Sequence, residues 1–328
     1  MTGDFQYVAT SAAFTVDANN GKKLPEPRFA MAFRGTSLIN DEAVEALKPV
    51  ALNKQGEHLI LQNPDPETRR AVAQSLVNLK MRATMDTMQA GGNTTRSMRM
   101  AASLEQAMSK ITGRSFSITV THQPKIALSV TWGEATMQMI QLPDGLRAIL
   151  GWLAAAVGKL DMAFPEHPDP LSLPVVILID EPEAHLHPQW QRQVLPAMQH
   201  LLPNAQIIAA THSAFAISSV NEGWIHVLKP DATGKVSISK PMPCGKGDSW
   251  LDVVEDILGV KEWYDPETEE LLAQFREKRD AVLSGKTAPN AELEELAASI
   301  AKRGPALSDM MGREMAKVNK LKTQAKEP

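Results

Sequence analysis

The chain has 328 residues, 43% hydrophobic and 22% charged, with a formal net charge of −4; this composition suits a soluble globular protein of one large or two ordinary domains and excludes one that is basic throughout. Cys244 is the single cysteine, which excludes an internal disulfide framework and a cysteine-built zinc site. No apolar stretch reaches the ~18–20 residues of a membrane span and the N-terminus has no signal-peptide pattern, so a cytoplasmic chain without membrane contact is expected.

In chain order, residues 1–63 begin with two candidate strands, Phe5–Val16 and Phe29–Phe33, around a Gly/Asn/Pro-rich turn region. A phosphate-binding G-x-x-x-x-G-K-S/T loop occurs nowhere in the chain. Asn20-Gly21-Lys22-Lys23 lacks the first glycine and the hydroxyl; Gly285-Lys286-Thr287 has Asp280 in the first-glycine position and no buried strand before it. Pro64 and Pro66 mark a boundary. Val72, Leu76, Leu79 and Ala83 then recur at helical spacing and predict a helix over Glu67–Gln89. After Gly91-Gly92, Met100, Leu104, Ala107, Met108 and Ile111 predict a second over Ser97–Thr112. Together they are expected to form an antiparallel helical arm or subdomain, 64–112. Arg69, Arg70, Lys80, Arg82, Arg96 and Arg99 are the candidates for a local basic patch, set against the plainer reading of a solvated helix face.

From Arg114 the period changes to two. Phe116, Ile118 and Val120, then Ile126, Leu128 and Val130, then Met137 and Met139–Ile140 predict short half-buried antiparallel strands. A helix follows from Leu142 to about Lys159, with Pro143 in its first turn and Asp144 placed for its dipole or cap. The run Val175–Ile179 reads as a parallel-sheet strand buried on both faces, and it stops at Asp180-Glu181-Pro182. A second strand, Gln206–Ala210, stops at Thr211-His212-Ser213. Joined in parallel by a helix after Pro188, the two strands would bring Asp180, Glu181 and His212 to one edge, where open α/β sheets bind ligands. Adjacent carboxylates at such an edge can hold Mg²⁺ through water and polarise an attacking water; the structural alternative is an acidic pair that merely starts a helix. Ala214–Val220 reads as a short helix, and Trp224–Leu228 with Val236–Ser239 as a hairpin. Beyond residue 249 the chain is helical and charged, in segments Trp250–Leu258, Pro266–Leu283, Ala291–Arg303 and Pro305–Leu321.

The order of these motifs resembles the ABC-class ATPases of the AAA family, in the branch with SMC/Rad50-like, RecF-like and OLD-type members. The Glu-Pro-Glu-Ala-His-Leu-His-Pro wording is typical of the virulence- or defence-associated type. Leu142–Arg147 is similar to the signature motif, Val175–Glu181 to the Walker B strand, Glu183–Pro188 to the D-loop, and His212 to the switch histidine. The resemblance implies a P-loop NTPase-like sheet with a helical arm and a C-terminal helical appendage. It implies ATP and Mg²⁺ as cofactors, with Asp180 ordering the Mg²⁺ hydration shell. Glu181 would be the general base or water-positioner, and His212 would sense the γ-phosphate. Leu142, Asp144, Gly145, Arg147 and His187 would serve nucleotide in a homodimer closed through signature motif and D-loop. DNA or a nuclease effector is the further partner it suggests. The expected organisation is residues 1–63 as the remnant of an N-terminal ATPase lobe, 64–112 as the arm, 113–248 as the ATPase core, and 249–328 as the helical C-terminal region.

Three departures qualify the resemblance. Pro143 stands where the signature serine is usual, His187 replaces the D-loop aspartate, and the Walker A loop is absent, so the phosphates lose their main cradle. The leading expectation is an N-terminally truncated or split ATPase; the alternative is a catalytically inactive binding or regulatory module. A remoter alternative is a metal-dependent hydrolase using Glu183, His185 and His187.

Overall fold

The computed structural model describes residues 12–17, 30–34, 58–61, 66–89, 93–121, 126–244, 247, 249–288 and 290–324. The chain divides into two compact units, one ending at Gly259 and one starting at Val260. The first unit runs β1 (Ala12–Asp17), β2 (Ala30–Arg34), β3 (His58–Leu61), α1 (Pro66–Gln89), α2 (Arg96–Thr112), β4 (Phe116–Thr121), β5 (Ala127–Trp132), β6 (Ala135–Gln138) and α3 (Asp144–Ala163). It continues through β7 (Val175–Asp180), α4 (Pro188–Leu201), β8 (Ala205–Thr211), α5 (Ala214–Ile217), β9 (Trp224–Pro230), β10 (Val236–Ile238), β11 (Met242–Pro243) and α6 (Trp250–Asp252).

The main sheet has the order β10-β9-β1-β8-β7-β2-β3, with β11 also on β9. Strands β3, β2, β7 and β8 are parallel neighbours, while β1 is antiparallel to both β8 and β9. The fold is therefore mixed α/β, and β7 and β8 are the parallel pair, joined through α4, that their sequences predict. A second sheet, β4-β5-β6, is antiparallel and sets buried Ile118 opposite buried Val130. Strand β6 stops at Gln138; Met139–Gln141 is a 3-10 turn, not the end of a strand, because the chain turns into Pro143 and the Leu142 N–H closes back on the Met139 carbonyl. Of the early strand candidates, residues 5–11 and Phe29 lie outside the described residues.

The expectation of a strand wet on neither face is corrected. Val175, Ile177 and Ile179 are buried, but Leu178 is 43% exposed and Val176 only half-buried. Side chains alternate along a strand, and the buried cluster that includes α1–α4 takes only the Val175/Ile177/Ile179 side of β7. An all-apolar run thus fills a position where one face alone is sealed. Helix α3 lies at the centre of the core and is buried on nearly all sides, as a helix apolar all round should be.

Several basic residues of α1 and α2 are engaged by partners within the chain. Lys80 pairs with Glu105 at 2.5 Å, Arg82 and Arg96 share the buried Asp161, and the Arg99 guanidinium donates to the Thr94 and Pro168 carbonyls, each at 2.9 Å. The Arg69 side chain lies outside the described residues.

The second unit consists of α7 (Pro266–Leu283), α8 (Ala291–Ala301) and α9 (Pro305–Gln324) around Leu272, Phe275, Leu293, Ile300, Met311 and Val318. Asp265 and Asn290 cap the first two helices by accepting the Thr268 and Leu293 N–H groups. Arg279–Glu314, at 2.7 Å, ties α7 to α9.

Candidate functional site

The site begins where the β7–β8 ladder ends. Asp180 stands opposite Ala210, and the Glu181 N–H donates to the Ala210 carbonyl at 2.8 Å, carrying the pairing one residue past the strand. The chain then turns sharply. Glu181 has φ 52° and His185 φ 62°, the non-glycine residues with positive φ among those described. Such a backbone costs ~1–3 kcal/mol per residue and persists only where neighbours fix it. The Ala184 N–H donates to the Glu181 carbonyl (3.1 Å) and the Leu186 N–H to the Glu183 carbonyl (3.0 Å), while Pro182 and Leu186 are buried beneath the turn.

Glu183 ties this turn to the loop after β8. Its Oε1 accepts the His212 N–H at 2.8 Å and the Ser213 N–H at 3.1 Å. The Ser213 hydroxyl donates to Gln191 Oε1 (2.5 Å) and accepts the Ala216 N–H (3.1 Å), and Gln191 Nε2 donates to the Leu186 carbonyl (3.0 Å). The two loops are thereby closed into one polar ring on α4. On it, His212 Nε2 lies 3.5 Å from Glu181 Oε1, with both side chains about half-exposed.

The N-terminus of α3 meets the same turn from another side. Gly145 is buried, and a Cβ added there would sit 2.6 Å from the His185 carbonyl oxygen and 2.7 Å from Leu186 Cδ2. Only glycine lets the helix backbone approach so closely. Around it, Leu142 points into the core, Pro143 is the N-cap, and exposed Asp144 pairs with Arg147, which also donates to the Ile140 carbonyl at 3.2 Å. His187 caps α4, its Nδ1 accepting the Gln189 N–H at 3.3 Å. Its ring stands edge-on to Trp190 at 6.3 Å, and Trp190 in turn to Trp132 at 5.7 Å.

The residues singled out from sequence therefore divide. Asp180, Glu181 and His212 converge on one sheet edge and Gly145 abuts the loop that carries them; Leu142 is a core residue, and Asp144 pairs with Arg147. Sequence reading missed the tie made by Glu183, Ser213 and Gln191. Glu183 was legible as a metal-ligand candidate and as the start of the D-loop-like segment, not as a tie to the His212 loop, and nothing in the local sequence marks Gln191. Among the described residues no three His, Cys, Asp or Glu side chains gather as a metal site, so the metal-hydrolase alternative has no donor set there. Among them, too, no helix is long and apolar enough to cross a membrane.

A family model described as "AAA domain, putative AbiEii toxin, Type IV TA system" matches residues 108–218, the stretch holding α3, β7, the strained turn and His212. The chain is 33% identical over 108 residues to the Septu protein PtuA of Bacillus thuringiensis, covering 32% of this chain and 27% of that protein. It is 24% identical over 172 residues to the Retron Vc95 probable ATPase of Vibrio cholerae serotype O1 biovar El Tor, covering 51% of this chain and 32% of the relative. With the Retron Ec83 probable ATPase of Escherichia coli it shares 30% identity over 114 residues, 35% of this chain and 21% of the relative. The matches span a third or less of these relatives' own lengths.

Proposed function

We propose, from the match of residues 108–218 to this AAA-domain family, that the chain carries the hydrolytic side of an ATPase site and works as a nucleotide-dependent dimer. The observation that supports this most is the 3.5 Å approach of His212 Nε2 to Glu181 Oε1, beside Asp180 on parallel strands. Asp180 offers the single strand-end carboxylate that suits Mg²⁺, which keeps most of its waters and takes its remaining oxygens from phosphate. Asp180 would hold the ion through water; bound there, Mg²⁺ would neutralise charge on the phosphates. Glu181, half-exposed, orients the attacking water and accepts its proton. His212, beside Glu181, would contact the γ-phosphate. Within the segment Leu142–Arg147, exposed Pro143 and Asp144, together with the His187 loop, form the face toward a second copy, with the α3 N-terminus as the anion-attracting element. Gly145 contributes the close approach of helix to loop, since its own Cα is covered by His185. The partner beyond the dimer is a defence-system component, DNA or a nuclease effector, in keeping with the Septu and retron names of the relatives.

With ATP and Mg²⁺, Glu181→Gln is expected to abolish turnover and accumulate a nucleotide-bound dimer, read by light scattering after size exclusion. Wild-type turnover in that variant removes Glu181 from the mechanism. A second reading is a non-catalytic binding or regulatory module; it draws on the lack of any G-x-x-x-x-G-K-S/T among the 328 residues. Calorimetric titration of the chain with ATP separates the two, since micromolar binding contradicts the second.

A further inference from the structure

We propose that Glu183 is a positioning residue: by holding the backbone of His212 and Ser213 on one carboxylate oxygen, it sets the His212 ring beside Glu181. The β7–β8 ladder gives out at Ala210, whose carbonyl takes the Glu181 N–H. Past that point the described bonds between the Glu181–His187 turn and the His212 loop run through Glu183 Oε1 and through Ser213 with Gln191. The His212 ring is 47% exposed and stands 3.5 Å from Glu181 Oε1, and the backbone that carries it is held by Glu183.

The carboxylate is oriented for this task. Oε1 receives two N–H donors, and Oε2 is sealed from solvent without a protein hydrogen-bond partner. With Oε2 sealed and Oε1 taken by two backbone donors, the carboxylate is engaged within the fold, so Glu183 acts through its neighbours and not on substrate. It also lies between the two left-handed residues, Glu181 and His185. One pair of bonds therefore braces the strained turn and the histidine loop together, and both members of the Glu181–His212 pair depend on it. The catalytic consequence rests on the ATPase reading above; the geometric one does not.

The test uses the full chain with isotope-labelled histidine. In wild type, Glu181→Gln should shift the His212 ring resonances, because the two side chains adjoin. The same shift should persist in Glu183→Gln, whose amide oxygen can accept both N–H groups, and vanish in Glu183→Ala. In Glu183→Ala the His212 amide should exchange about tenfold faster or more, while the Ser213 amide keeps the Thr211 hydroxyl as an acceptor at 3.0 Å. Should Glu183→Ala fail to fold, Glu183→Asp, one methylene short, gives the same comparison. In turnover assays Glu183→Ala should lower kcat about tenfold or more while leaving KM within about twofold, with Glu183→Gln close to wild type. Unchanged amide protection, or a His212 response to Glu181→Gln that survives Glu183→Ala, overturns the proposal; so does a normal kcat in a variant whose protection is lost. A wild-type chain that turns over no ATP instead removes the ATPase reading, and the resonance comparison still decides Glu183.

Discussion

Gly145→Ala isolates the contact between α3 and the strained turn. The new methyl would stand 2.6 Å from the His185 oxygen, 2.9 Å from its carbonyl carbon and 2.7 Å from Leu186 Cδ2, where ordinary contact begins at 3.4 Å. Two of these three atoms are backbone, so no rotamer change clears them, and overpacking of this kind costs ~1–3 kcal/mol. Against it stands the better helix propensity of alanine, ~0.5–1 kcal/mol in a helix interior and less in a first turn. The balance is a net loss of about 1–2 kcal/mol. For a unit of this size that lowers Tm by about 2–8 °C, at ~2–4 °C per kcal/mol. Urea unfolding of the first unit measures it, with amide exchange at Leu186 reporting whether the turn moves away from the helix. Gly312→Ala is the control for added helix propensity: it lies in α9 of the second unit with nothing within 4 Å of an added Cβ, and unfolding of that unit should show a gain of ~0.5–1 kcal/mol. A Gly145→Ala variant as stable as wild type, with an undisturbed Leu186 amide, would refute the claim that helix and turn are held in backbone contact. Because the turn carries Glu181, the same variant should also lose ATP turnover.

Two further outcomes are expected. His185→Gly should leave stability unchanged or raise it by up to ~1 kcal/mol, because φ 62° no longer carries a Cβ penalty, whereas His185→Val should destabilise; equal urea midpoints for all three would remove the strain argument. The Asp86 carboxyl is held below the usual carboxylate range, chiefly by the Ser97 and Thr95 hydroxyls and then by Arg82. A depressed carboxyl contributes stability above its unfolded value, about pH 4, and loses it as pH falls through the folded value. The stability gap between wild type and Asp86→Asn should therefore narrow below about pH 4; a gap constant from pH 7 to 3 contradicts the assignment.

What was legible in the sequence was whatever depends on near neighbours along the chain. Helical spacing located α1 and α2 to within a residue or two, because Val72, Leu76, Leu79 and Ala83 must share a face to be buried at all. Polar residues ending two apolar runs located Asp180 and His212, since a buried parallel strand can release charge only at its end. The spacing could not tell that Leu178 would be exposed, because the residues that seal or leave open a sheet face come from elsewhere in the chain.

By itself, then, the sequence determined the α/β class, most of the run of elements from α1 to α9, and the carboxylates and histidine that meet at one edge. The tertiary structure alone decided how that edge is held. The Glu183–His212 bond joins residues 29 apart in the chain, and Gly145 meets His185 across a comparable separation. A glutamate in a loop and a glycine in a first helical turn carry no local sign of such partners. Their roles exist only because parallel pairing of β7 with β8 brings two loop ends together and because α3 is packed hard enough against one of them to leave no room for a methyl group.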